Sequence, residues 1–165
     1  MILTQRFCLM SAIGLIFTLA VQASPLNAEM SGEKAEAFIS GLADQAIEAM
    51  TMPDVSKSDR IKRFKVLLNE NFAIKTIARY VIGRYWKRAT KVQKEEYLSL
   101  FQEMLATTYV NRFAEYAGEN LKVIKSTVSS DKDAIVHSQI VRDGTQPVNV
   151  DWQVRSKDNV IFKIV

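Results

Sequence analysis

The stretch AIVHSQIVRDGTQPVNVDWQV, residues 134–154, decides the fold. Val148, Val150, Trp152 and Val154 alternate with Asn149, Asp151 and Gln153. A period of two puts the first set on one face of a strand and the second set on the other. Ala134 to Val141 reads as the preceding strand, and Asp143-Gly144-Thr145 as the turn between them. One apolar and one polar face means an antiparallel sheet with one side in water. Two further predicted strands flank these, Leu121 to Val128 and Val160 to the end, with turns at Ser129–Asp133 and Ser156–Asn159.

Upstream of Leu121 the period is 3.6. Ser31 to Met50 carries Ala35, Phe38, Ile39, Leu42, Ala46, Ile47 and Met50 on one helical stripe, with Ser31 placed to cap its start. Pro53 ends that helix. A second helix is predicted over Ser58–Leu68, with Ile61, Phe64, Leu67 and Leu68 inward. A third follows Asn71 as its expected cap, with Ile74, Ile77, Ala78, Val81 and Ile82 as the buried face. Gly83 stands at its C-terminal stop. Thr90-Lys91-Val92-Gln93 has the spacing of a capping box. It opens a long fourth helix whose expected inner side is Tyr97, Phe101, Met104, Leu105, Thr108, Tyr109, Arg112, Phe113 and Tyr116, closed by Gly118. Helices first and a meander last define an α+β domain with helices on one face of the sheet.

Residues 1–28 stand apart. Arg6 is their only charge, Phe7 to Val21 is an apolar run, and Val21-Gln22-Ala23 and Leu26-Asn27-Ala28 offer small-residue exits. This is the pattern of a secretory signal peptide, and the run is short against the ~20 residues of a membrane span. The expected mature chain is a single domain, 29–165, exported to the periplasm. Removing Arg6 and no acid takes the formal charge from +4 to +3, too little to demand a polyanionic partner. The one cysteine, Cys8, leaves with the signal, so disulfides and thiol chemistry are excluded from the domain.

The segment from Asn71 to Lys94 holds Lys75, Arg79, Arg84, Lys87, Arg88, Lys91 and Lys94 and no acid. Tyr80, Tyr85 and Trp86 lie among them. Nucleic-acid binding would need these rings exposed as stacking platforms, and export argues against it. A solvated helix face, or a docking surface for anionic lipid or an acidic protein, fits the pattern. Arg84, Lys87, Arg88 and Lys91 are the candidate docking residues. Catalytic motifs are absent: no HExxH, GxSxG, Walker or GxGxxG spacing occurs. His137 reads as structural, since no partner for acid–base work is placed near it in sequence.

Phe72, Ile77-Ala78-Arg79-Tyr80-Val81-Ile82-Gly83-Arg84-Tyr85-Trp86, Ala89-Thr90, Gln93, Tyr97 and Phe101 together resemble the signature of the MlaC family, also called the toluene-tolerance family. Tyr109, Arg112-Phe113, Tyr116-Ala117-Gly118-Glu119 and Val148-Asn149-Val150-Asp151-Trp152-Gln153-Val154 are similar to it too. The hopanoid-associated HpnM proteins share the pattern. The resemblance implies several helices against a curved four-stranded sheet, with phospholipid tails held between the layers. It implies a non-enzymatic carrier that maintains outer-membrane lipid asymmetry. Its partners would be an outer-membrane lipoprotein–porin complex and an inner-membrane ABC transporter with an MCE-domain ring. The family continues past the fourth strand into a closing helix, so the chain is expected to be truncated inside that strand.

With a cavity implied, the inward stripes supply candidate lipid-binding residues: Ile74, Ile77 and Val81 on the third helix, Phe101, Leu105, Tyr109 and Phe113 on the fourth, and Val150, Trp152 and Val154 on the sheet. A hopanoid carrier is an alternative reading. So is a protein-binding module using the basic 75–94 surface. A cone-shaped α+β enzyme would need a carboxylate inside the pocket, and these stripes offer none.

Overall fold

A computed structural model describes residues 29–115 and 118–165. The expected signal peptide, 1–28, and the stripe residue Tyr116 lie outside the described residues. The elements are α1 (Gly32–Thr51), α2 (Lys57–Asn71), α3 (Ile74–Ile82), α4 (Tyr85–Arg88), α5 (Lys91–Phe113), β1 (Asn120–Val128), β2 (Asp133–Val141), β3 (Val148–Ser156) and β4 (Phe162–Ile164). The strands form one antiparallel sheet in the order β1-β2-β3-β4, as the alternation requires. The register slips at a bulge between Val123 and Lys125, which leaves Ile124 half exposed.

Helix α1 lies across β1 and β2. Ser31 Oγ accepts from the Lys34 amide at 3.3 Å, and the Ser31 amide donates to Asn159 Oδ1 at 3.0 Å. The helix start is thereby fixed to the turn between β3 and β4. Gly32 permits the close crossing: a Cβ there would stand 2.5 Å from Ser126 Oγ. Ser126 itself donates to Glu36 at 2.6 Å. Under α1 the sheet is sealed; Ala134, Val136 and Val154 have no exposed surface, and Ile39 and Met50 close the other side.

Helix α2 runs further than expected. Asn71 is its last residue, and its Nδ2 donates back to the Leu67 carbonyl at 3.0 Å, so it does not cap α3. Ala73 stands at that position without a side-chain cap. The junction is stitched to the sheet instead: Phe72 bridges Ile164, and the Ala73 amide donates to the Ile164 carbonyl at 2.8 Å. Lys163 Nζ donates to the carbonyls of Asn69 and Glu70, a cation at the negative end of α2.

Gly83 ends α3 at φ 58° and ψ −129°, a backbone region that glycine alone enters freely. The capping box of α5 is complete: the Gln93 amide donates to Thr90 Oγ1 at 3.2 Å, and the Thr90 amide donates to Gln93 Oε1 at 2.9 Å. Tyr97 donates to the Ala78 carbonyl at 3.0 Å and locks α5 to α3. Helix α5 stops at Phe113, well short of Gly118, whose φ is +90°.

Two stripes differ from expectation. On α5, Ala106 and Val110 are buried, whereas Met104 and Thr108 face water. The helix meets α3 through Tyr97 near its start and α2 through Phe113 near its end, so its covered side drifts around the axis. On α3, Ile74 and Ala78 are buried but Val81 is 62% exposed while Ile82 is half-buried, so cover in the last turn lies on the Ile82 side.

Candidate functional site

The apolar face of the sheet is covered at one end and open at the other. Along β3 the helix-side residues run from Val154, fully buried, through half-buried Trp152 and Val150 to Val148, 59% exposed. Along β2 the same gradient runs from Ala134 and Val136 to Ile140, 37% exposed. Ile140 pairs with Val148 and also with Leu121, so the uncovered strip crosses three strands. Its inner border is polar and satisfied: Trp152 Nε1 donates to Ser138 Oγ at 2.8 Å, and that hydroxyl donates to the Val150 carbonyl at 2.9 Å. Ser138 is buried with both roles filled, which fixes the indole plane.

On the helix side, Phe64 gathers two of the expected residues. Its ring lies 5.7 Å from Tyr109 and 6.4 Å from Phe113. Tyr109 lies inside the covered stripe of α5, among Leu105, Ala106, Val110 and Phe113, yet it is 45% exposed. Such a residue marks a gap in the layer. Phe101 belongs to a different group, 5.8 Å from Tyr97, which meets Trp86 edge-on. Ile74, Phe101 and Val154 are filled core. Those keeping open surface are Ile77, Leu105, Tyr109, Phe113, Val150 and Trp152, while Val81 stands outside. Leu121, Ile140 and Val148 extend the face and were missed as site residues; the period-two pattern already contained Val148.

Among the described residues, two surface clefts bear on the candidate sites. One, about 430 Å³, lies at the α3–α4–α5 corner between Ile82, Tyr85, Arg88, Tyr97 and Leu100. The other, about 230 Å³, is polar and lies between Asn120, Val141, Arg142 and Asp143. Neither is lined by the expected lipid-binding residues. Arg84, Lys87, Arg88 and Lys91 are all exposed around the first cleft or on the turn beside it. Arg84 covers the Tyr85 ring at 5.2 Å, and Lys91 stands 3.9 Å from Glu95.

His137 has partners after all. On the solvent face its Nδ1 is 2.8 Å from Asp151 Oδ1, and Thr127 Oγ1 is 3.2 Å from its Nε2. The strand register makes His137 and Asp151 direct neighbours. The trio sits on the central strand and its two neighbours, where ladder bonds occupy the surrounding amides, and neither cleft reaches it. It joins three strands. At the other end of the sheet Arg155 Nε donates to Asp133 Oδ1 at 2.6 Å, and Arg155, with help from Ser130, holds the Asp133 carboxyl below its usual range. Two backbone amides, of Ile161 and Val160, do the same for Asp158 in the β3–β4 turn.

Helices lie on one face of an antiparallel sheet, and an apolar strip at one end of that face is left uncovered. The chain belongs to the MlaC family: the family model described as MlaC protein matches residues 40–165. That match spans every element except the start of α1. The family consists of periplasmic phospholipid-binding transport proteins and is not a family of enzymes.

Proposed function

We propose that this chain carries phospholipid through the periplasm, between an outer-membrane lipoprotein–porin complex and an inner-membrane ABC transporter with an MCE-domain ring. The acyl tails lie against the open strip of the sheet, on Val150, Trp152, Ile140 and Val148, with Tyr109 and Phe113 of α5 on the other side. The observation that carries this reading is the fading of cover along β2 and β3, together with the half-exposed Tyr109 in an otherwise covered stripe. The side chains named for the tails carry no charge, and the Trp152 and Ser138 polar groups beside them are already paired.

The test is native mass spectrometry of the protein purified from a bacterial periplasm. A bound mass matching a phospholipid is the expected result. Protein that is folded and free of lipid overturns the proposal, and a hopanoid mass replaces the ligand class.

A further inference from the structure

We infer that the α3–α4 corner is a docking surface for an anionic bilayer, separate from the face that holds tails. Tyr80 is 87% exposed, Val81 62% and Tyr85 53%, three large side chains displayed at one turn. Around them Arg79, Lys87 and Arg88 are exposed and pair with no acid among the described residues, and no acidic residue occurs between Asn71 and Lys94. Amphipathic aromatic rings among cations are the composition that settles at headgroup level.

The groove beside this turn argues for lipid headgroups over a peptide. It is shallow and apolar, and its polar side chains are occupied: Gln93 closes the capping box and the Tyr97 hydroxyl donates to Ala78. Glu96 on its far wall is the one acid lining it. Apart from Glu96, what remains for recognition is the positive charge of Arg88 and the neighbouring turn, with apolar surface around it. A fluid array of phosphates meets that demand, whereas a bound peptide backbone would find few partners.

Co-sedimentation of the expected mature chain, residues 29–165, with vesicles tests this. Phosphatidylglycerol vesicles should bind it, with affinity falling as salt rises, and phosphatidylcholine vesicles should not. Lys87→Glu with Arg88→Glu should weaken binding by about 25-fold or more, since each lost cation near the surface accounts for roughly fivefold. Lys122→Glu with Lys125→Glu makes the same change in net charge on β1 and should stay within about twofold of wild type by that reasoning. Tyr80→Ala should lose a smaller factor without altering the salt dependence. Equal loss in the two charge pairs, or equal binding to both vesicle types, overturns the inference. Binding to soluble polyglutamate with none to phosphatidylglycerol vesicles overturns it in favour of an acidic protein. The lipid retained by the Lys87/Arg88 variant, read by native mass spectrometry, reports separately on the carrier reading and should be unchanged.

Discussion

Tyr109→Ala separates a tail-binding face from an ordinary core. The ring is 45% exposed within a covered stripe, and Phe64 covers its other side. Taking about 200 Å² for a tyrosine side chain, roughly 90 Å² stands open in the lipid-free chain. At about 25 cal/mol per Å², an acyl chain covering that area contributes about 2 kcal/mol. Truncation should therefore weaken lipid binding roughly 30-fold. The covered half contributes to stability: a fully buried ring costs 3–5 kcal/mol to remove, so about 2 kcal/mol is expected here, and the variant stays folded. Displacement of a tail-labelled fluorescent phospholipid measures the affinity, and urea denaturation followed by circular dichroism measures the stability. Val66→Ala, on the outer side of α2, should leave the affinity alone. A folded Tyr109→Ala protein with wild-type affinity would refute the placement of the tails.

Ser138→Ala leaves the Trp152 indole N–H without its acceptor and should cost about 1–3 kcal/mol in urea unfolding. Trp152→Phe in the same background should recover part of that loss, because the orphaned donor goes with it. Thr90→Ala removes one half of the α5 capping box and should cost about 1 kcal/mol by the same measurement. For Asp133 the folded carboxyl is depressed by Arg155, so its stabilisation is present above the unfolded pKa and is lost as pH falls through the folded value. Melting temperatures of the wild type should drop below about pH 4, and those of Asp133→Asn should drop less over the same interval. Equal acid sensitivity of the two proteins would remove Asp133 from the account.

Local periodicity carried most of the architecture. The strands at 134–141 and 148–154, Gly83 and the Thr90–Gln93 box are all stated by neighbouring residues, so they were legible. What failed depended on distant partners. Val81 has the right spacing for burial but nothing described lies over it. Ala106 and Val110 were overlooked because α5 rests on different helices at its two ends. Asn71 has the chemistry of a cap, yet the β-bridge of Phe72 to Ile164 extends α2 past it and gives its side chain the Leu67 carbonyl. The His137–Asp151 pair needed the register of two strands, which a turn as loose as Arg142–Pro147 does not fix in advance. The open strip was half legible: alternation marked its residues as apolar, but cannot say where the helix layer stops.

That stopping point bears on how a carrier could work. Two acyl tails of ~30 methylene groups make a lipid in water unfavourable by on the order of 20 kcal/mol, so the site must replace most of that cover. It must also release the tails to a bilayer, which offers the same apolar environment, so binding much stronger than a bilayer's would trap them. A closed core such as Ile39, Met50, Val136 and Val154 could admit tails only by disrupting close packing. In the strip, Ile140 and Val148 are already exposed and Leu121 is half-buried, so under the proposed reading the strip would gain cover when tails arrive. The Trp152–Ser138 bond holds the indole in place, so under the proposed reading the wall beneath the tails would keep its shape on loading. On this argument, stabilising the empty chain by closing the gap, for instance with Val148→Trp, should raise the melting temperature and lower the lipid load together; a variant that gained both would show that the strip is not where the tails lie.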